Sequence, residues 1–123
     1  MKLLYKDDKT KELCTNLKAA KKYFGGKGKY AEKLFSIINA LQQAETIEDI
    51  IAFPPYHFHP LNDIGKKKLK GMFAIDIINR KQPWRLILQP LDENYCVYDP
   101  CNIDQIARFV KVVEVMEVSK HYE

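Results

Sequence analysis

Two consecutive prolines, Pro54-Pro55, divide the chain into stretches whose apolar residues repeat with different periods. A proline ring fixes its own φ and pushes the preceding residue out of the helical region, so a helix does not run through the pair. Upstream, the period is helical. Leu13, Leu17, Ala20 and Phe24 recur at steps of four, three and four, with Lys18, Lys21 and Lys22 on other faces. Asp8 or Thr10 offers an N-terminal cap, and Gly25-Gly26 ends the segment because glycine enters the left-handed region readily. A second helix is predicted from about Lys29 to Ala44, since Tyr30, Leu34, Ile37, Ile38 and Leu41 form one apolar stripe. The two read as a helical hairpin. Residues 2–6 are expected to form a short strand before it. Thr46-Ile47-Glu48-Asp49 resembles a capping box, with Asp49 in place of the usual Glu or Gln, and starts one further turn.

Downstream, the period becomes two. Phe73, Ile75 and Ile77 alternate with Met72, Ala74, Asp76 and Ile78, which predicts a strand. Asn79 to Pro83 is a polar turn, and Trp84 to Gln89 is the next strand. Asp92-Glu93-Asn94 is a turn before a strand over Tyr95 to Tyr98; residues 99–109 read as a loop or short helix, and Val110 to Val118 closes the sheet. Helices first and hairpin-connected strands afterwards imply an α+β fold, an N-terminal helical hairpin packed on a small antiparallel β-sheet. The 123 residues suit one domain, 1–123, and no repeat or linker interrupts them.

The net charge of +4 is unevenly spread. Residues 1–40 hold ten lysines against four acids, and residues 62–85 hold seven basic residues against two acids; the segments after each are acidic. Two basic zones point to a polyanionic partner, although lysine faces on helices also serve only to solvate a protein. No apolar run is long enough to cross a bilayer, and charge comes too early for a secretory signal, so a cytoplasmic protein with no membrane partner is expected. Cys14, Cys96 and Cys101 form neither a disulfide framework nor a common zinc pattern.

Three segments carry candidate chemistry: His57-Phe58-His59-Pro60-Leu61 followed by Lys66-Lys67-Lys68-Leu69-Lys70-Gly71; Trp84-Arg85-Leu86; and Glu117-Val118-Ser119-Lys120-His121-Tyr122-Glu123. His57 and His59 flank Phe58 on one face of an extended segment, a spacing that suits a metal. His121 is the only further imidazole, and no metal or other cofactor is expected. Trp84 and Arg85 point to opposite faces of their strand, which makes Trp84 a core residue. Tyr95 and Tyr98 suit strand packing better than a stacking platform.

The order His-Pro-Leu, basic stretch, Gly, strand, Trp-Arg strand and C-terminal Val-x-x-His-Tyr resembles the RelE/HigB family of toxins over about residues 28–123. The chain departs from that pattern in a longer Leu61–Gly71 loop, in Met72 where the family often has Arg, and in Lys120 where an acid is common. The resemblance implies a toxin of a type II toxin-antitoxin system that inhibits translation by cleaving mRNA in the ribosomal A site. It also implies an antitoxin partner, usually a HigA-like helix-turn-helix protein. The reaction is attack of a 2′-hydroxyl on its own 3′ phosphate without a metal, which needs a base, cations at the phosphate and an acid. His59 or His121 then serves as base, Arg85 with Lys70 as phosphate clamp, Tyr122 as stacking partner or acid, and Lys66, Lys67 and Lys68 as RNA contacts. Two rivals remain open: a toxin of the same fold with another target, such as DNA gyrase, and a module that binds RNA or protein without cutting.

Overall fold

The structure, a computed structural model, describes residues 1–63, 66 and 68–120. It is a mixed α+β fold. Strand β1 (Lys2–Tyr5) leads into helices α1 (Asp8–Thr15), α2 (Leu17–Tyr23), α3 (Gly28–Gln43) and α4 (Ile47–Ile51). A 3-10 turn at Pro54–Tyr56 precedes β2 (His59–Pro60), β3 (Phe73–Asp76) and β4 (Arg85–Leu91). Helix α5 (Ile103–Ile106) and a 3-10 turn at Ala107–Phe109 lead to β5 (Val112–Ser119).

The helical stripe predicted upstream is interrupted. Asn16 ends α1 and caps α2: its Oδ1 accepts from the Ala19 amide at 3.1 Å and its Nδ2 donates to Glu12 at 2.8 Å. A short polar side chain that competes for backbone donors breaks a helix in this way. Leu17, expected in the stripe, is consequently 40% exposed, while Leu13, Ala20 and Phe24 are buried. The N-terminal layer is therefore three helices, not a two-helix hairpin. The cap of α1 is Asp7, whose carboxylate accepts from the Thr10 amide at 2.8 Å, rather than Asp8 or Thr10. That contact and the nearby lysines Lys6 and Lys9 hold the Asp7 carboxyl below its ordinary range, with the hydrogen bonds contributing most. Helix α3 follows its predicted stripe, with Leu34, Ile37, Ile38 and Leu41 buried. At α4, Asp49 does reach back, but to the Glu45 amide at 2.9 Å.

Among the described residues the strands form one sheet of order β1-β5-β4-β3-β2. The neighbours from β2 to β5 are antiparallel, as expected, but β1 pairs parallel with β5, so the sheet is mixed. All the helices lie between β1 and β5 in the chain, and so long a connection permits a parallel pair. The segment 95–98 is not a strand and makes only the bridge Leu91↔Val97. Asp92 draws the amides of Asn94 and Cys96 onto its carboxylate, and Tyr95 takes φ 64°, which curls the backbone.

Each face of the sheet is covered. Ile75, Ile77, Leu86, Leu88, Val113, Val115 and Val118 pack with the helices. Phe24 sits edge-to-face with Trp84 at 4.9 Å and Tyr30 at 6.0 Å, so Trp84 belongs to this apolar side. On the opposite face Ala74 and Ile87 pack with Leu61 and Leu69 from the loop between β2 and β3. This double cover explains why all four residues of β3 are buried. No helix among the described residues is long and apolar enough to cross a membrane.

Replacing Leu34 by Ala is expected to lower the unfolding free energy by about 2–5 kcal/mol, as for other buried leucines. Replacing exposed Leu17 by Ala is expected to change it by no more than about 0.5 kcal/mol. Urea titration of the two variants checks both values.

Candidate functional site

The loop-covered face of the sheet holds the polar cluster. Strand register sets it up: Asp76 lies directly opposite Arg85, and Arg85 directly opposite Ser119. Directly paired residues point to the same face. His59 pairs with Ala74, two positions before Asp76, and His57 is two residues before His59. The period of two therefore puts His59, Asp76, Arg85 and Ser119 on one face, away from the helices, and His57 joins them through its ring contacts with Asp76 and His59.

Asp76 is 2% exposed and Arg85 6%. Nε of Arg85 lies 3.0 Å from Oδ1 of Asp76, close as charges though not aligned as a hydrogen bond. Nη1 donates to the carbonyls of Gln82 at 2.6 Å, Trp84 at 3.0 Å and Asn79 at 3.4 Å, and Nη2 donates to the Arg80 carbonyl at 3.1 Å. The guanidinium thus knits together the turn between β3 and β4. Asn79 tightens the same turn by accepting from the amides of Lys81 and Gln82.

The other carboxylate oxygen holds an imidazole: Oδ2 of Asp76 accepts from Nδ1 of His57 at 3.1 Å. His57 ends the 3-10 turn with φ 48° and ψ 49°, and its amide donates to the Pro54 carbonyl at 2.9 Å. A left-handed backbone is unusual for a residue with a Cβ, though histidine is among the types that tolerate it. It ends the turn that Pro54-Pro55 begins, at the residue whose ring meets Asp76. The His57 side chain keeps a third of its surface open. His59 donates through Nδ1 to the His57 carbonyl at 2.6 Å, and the rings stack with centroids 4.3 Å apart. Phe58, between them, faces the other way and stacks on Phe73 at 4.8 Å.

The lysine loop lies across this face. Oδ1 of Asp63 accepts from the Leu69 amide at 2.7 Å and the Lys70 amide at 2.9 Å, which pins the loop's return to the sheet. These two bonds, with smaller contributions from Lys68 and Lys70, hold the Asp63 carboxyl below its ordinary range. Lys66, Lys68 and Lys70 are exposed. Lys67, His121 and Tyr122 lie outside the described residues. Lys120, at the end of β5, places Nζ 5.8 Å from the Trp84 ring centre. Tyr98 packs against the helical core, and Tyr95 is exposed and accepts from Nζ of Lys2.

The structure thus brings His59 and Arg85 into one cluster and seats the lysine loop on the same face. It also adds Asp76, which sequence reasoning gave no role, and His57, which the sequence marked only as a candidate metal ligand beside His59. The signal for Asp76 was present: a lone acid in the apolar run Phe73-Ala74-Ile75-Asp76-Ile77-Ile78. Burial of a carboxylate requires a paired or hydrogen-bonded partner, and that partner is not readable from the run itself. An imidazole nitrogen from each of His57 and His59 and a carboxylate oxygen of Asp76 lie within 4.8 Å of one another. No protein-family model matches the chain, and neither a curated protein nor a solved structure does.

Removing one member of a buried ion pair leaves an uncompensated charge, a loss of about 3–5 kcal/mol. Asp76→Ala and Arg85→Ala are each expected to lose stability on this scale, and the double variant less than their sum, as a double-mutant cycle in urea will show. A carboxyl with a lowered folded-state value stabilises above its unfolded value, near 3.8, and this contribution fades as pH falls below it. Amide exchange at Leu69 and Lys70 is therefore expected to accelerate selectively below about pH 4 relative to β4, beyond the intrinsic change with pH.

Proposed function

We propose that this protein is a metal-independent endoribonuclease of the RelE/HigB toxin kind, which cleaves mRNA on the ribosome and is restrained by an antitoxin. The observation that carries this reading is the Asp76–His57–His59 cluster on the sheet face that the lysine loop crosses. A carboxylate that accepts from Nδ1 fixes the neutral imidazole with its lone pair on Nε2, the arrangement a general base needs. With a third of its side chain open, His57 stands at the surface of the site, where a substrate can meet its ring.

In this mechanism His57 takes the proton of the 2′-hydroxyl, with His59 stacked against it as the second proton carrier. The oxygen attacks the adjacent phosphorus, the bond to the 5′ oxygen breaks, and an acid returns a proton to that leaving group. The products are a 2′,3′-cyclic phosphate and a 5′-hydroxyl. Lys66, Lys68 and Lys70 contact the phosphates. Arg85 takes a different part from the clamp expected of it. Its guanidinium is buried against Asp76 and four backbone carbonyls, so it acts as a positioning residue that holds the carboxylate that holds His57. Ser119 lies opposite Arg85 in β5.

Each proton-transfer group contributes roughly 10²- to 10⁴-fold. His57→Ala and His59→Ala are each expected to reduce cleavage of ribosome-bound mRNA by at least about 10²-fold while the far-ultraviolet spectrum stays unchanged. Mapping transcript 5′ ends in the first minutes after induction tests the activity itself. Wild-type protein that arrests translation without generating new 5′ ends would sink the ribonuclease reading and favour a non-cutting binder.

A further inference from the structure

The His57–His59–Asp76 cluster also satisfies the chemistry of a transition-metal site, and we infer that it binds one divalent ion of the zinc class. This inference stands on the cluster's geometry and not on the ribonuclease reading. One ligand atom from each of the three residues lies within a 4.8 Å span. Zinc binds imidazole nitrogen and carboxylate oxygen at about 2.0–2.2 Å, so ligand atoms on one tetrahedral ion sit roughly 3.3 Å apart. Nδ1 of His57 and Oδ2 of Asp76 are already 3.1 Å apart. Those two atoms meet the requirement as they stand. His59 closes the remaining distance through Nε2, since its Nδ1 is held by the His57 carbonyl at 2.6 Å, and its ring turns out of the stack with His57 to aim that lone pair at the ion.

The surroundings favour a soft or borderline cation over a hard one. Arg85 balances the charge of Asp76, so the site offers no net negative charge to attract magnesium or calcium. Two imidazoles and one carboxylate suit zinc, nickel or copper, whereas magnesium and calcium prefer sets made of oxygen. Arg85 beside Oδ1 serves as the outer partner that orients a ligating carboxylate. Three protein ligands leave a fourth position for water. Binding has a consequence at His57. An ion on Nδ1 takes the position of the proton now shared with Asp76, the neutral ring then carries its proton on Nε2, and the lone pair suited to a base is lost.

The test is calorimetric titration of chelator-treated protein with zinc chloride, in the absence and presence of millimolar magnesium. One ion per chain is expected, with no displacement by magnesium. His57→Asn and His59→Asn are each expected to weaken binding by tenfold or more, while Cys96→Ser leaves it unchanged. Asparagine is chosen because it tolerates the left-handed backbone at residue 57. Circular dichroism confirms that each variant is folded. Absence of saturable binding overturns the inference, as does binding that survives both histidine variants but is lost in Cys96→Ser or His121→Asn.

Discussion

The pairing of Asp76 with Arg85 across β3 and β4 is the constraint on which the remainder of the site depends. Two charges inside a protein are tolerated only where each meets an opposite charge or a hydrogen-bonding group. Here both conditions hold. Asp76 faces the guanidinium on one oxygen and the His57 imidazole on the other, and the Nη atoms of Arg85 turn to carbonyls of the β3–β4 turn. The pair therefore fixes three things together: the conformation of residues 79–84, the register of two strands and the orientation of one histidine. A one-residue slip in that register would turn Asp76 into the helical core, where no partner waits for it.

The sheet separates structural and chemical duties by face. The helix side is closed by leucine, isoleucine and valine, with Phe24, Tyr30 and Trp84 at one end. On the other side, Leu61, Leu69 and Met72 of the loop pack on the sheet, while Lys66, Lys68 and Lys70 are exposed. Asp63 secures that loop through backbone amides, so its lysine side chains are not needed to hold it down.

Much of the architecture was legible from residue spacing. The stripe of α3, the polar turn at 79–83, the strands on either side of it and the strand near the end all follow from simple periods. The misses share a cause. Asn16 broke a helix because a side chain took the backbone's donors, and Asp92 did the same where a strand was expected over 95–98. Neither competition is visible in hydrophobic pattern. The parallel placement of β1 was also hidden, since four residues carry no record of which strand edge they will join. In the cluster, His59 and Arg85 were singled out from the sequence, but the burial of Arg85 could not be read from a Trp-Arg-Leu sequence that looks amphipathic.

The sequence alone determined the class of fold, because the change of period at Pro54-Pro55 admits helices before it and strands after it. The meeting of His57 and His59 was not fixed by alternation, because His57 takes the left-handed conformation and not the extended one. Only the tertiary structure decided that Asp76 stands under those imidazoles, that Arg85 holds the carboxylate from within, and that the lysine loop crosses the same side. The first two relations join residues 9 to 19 positions apart in the chain through strand pairing, and pairing is chosen by the whole sheet and its two coverings rather than by any local run of residues.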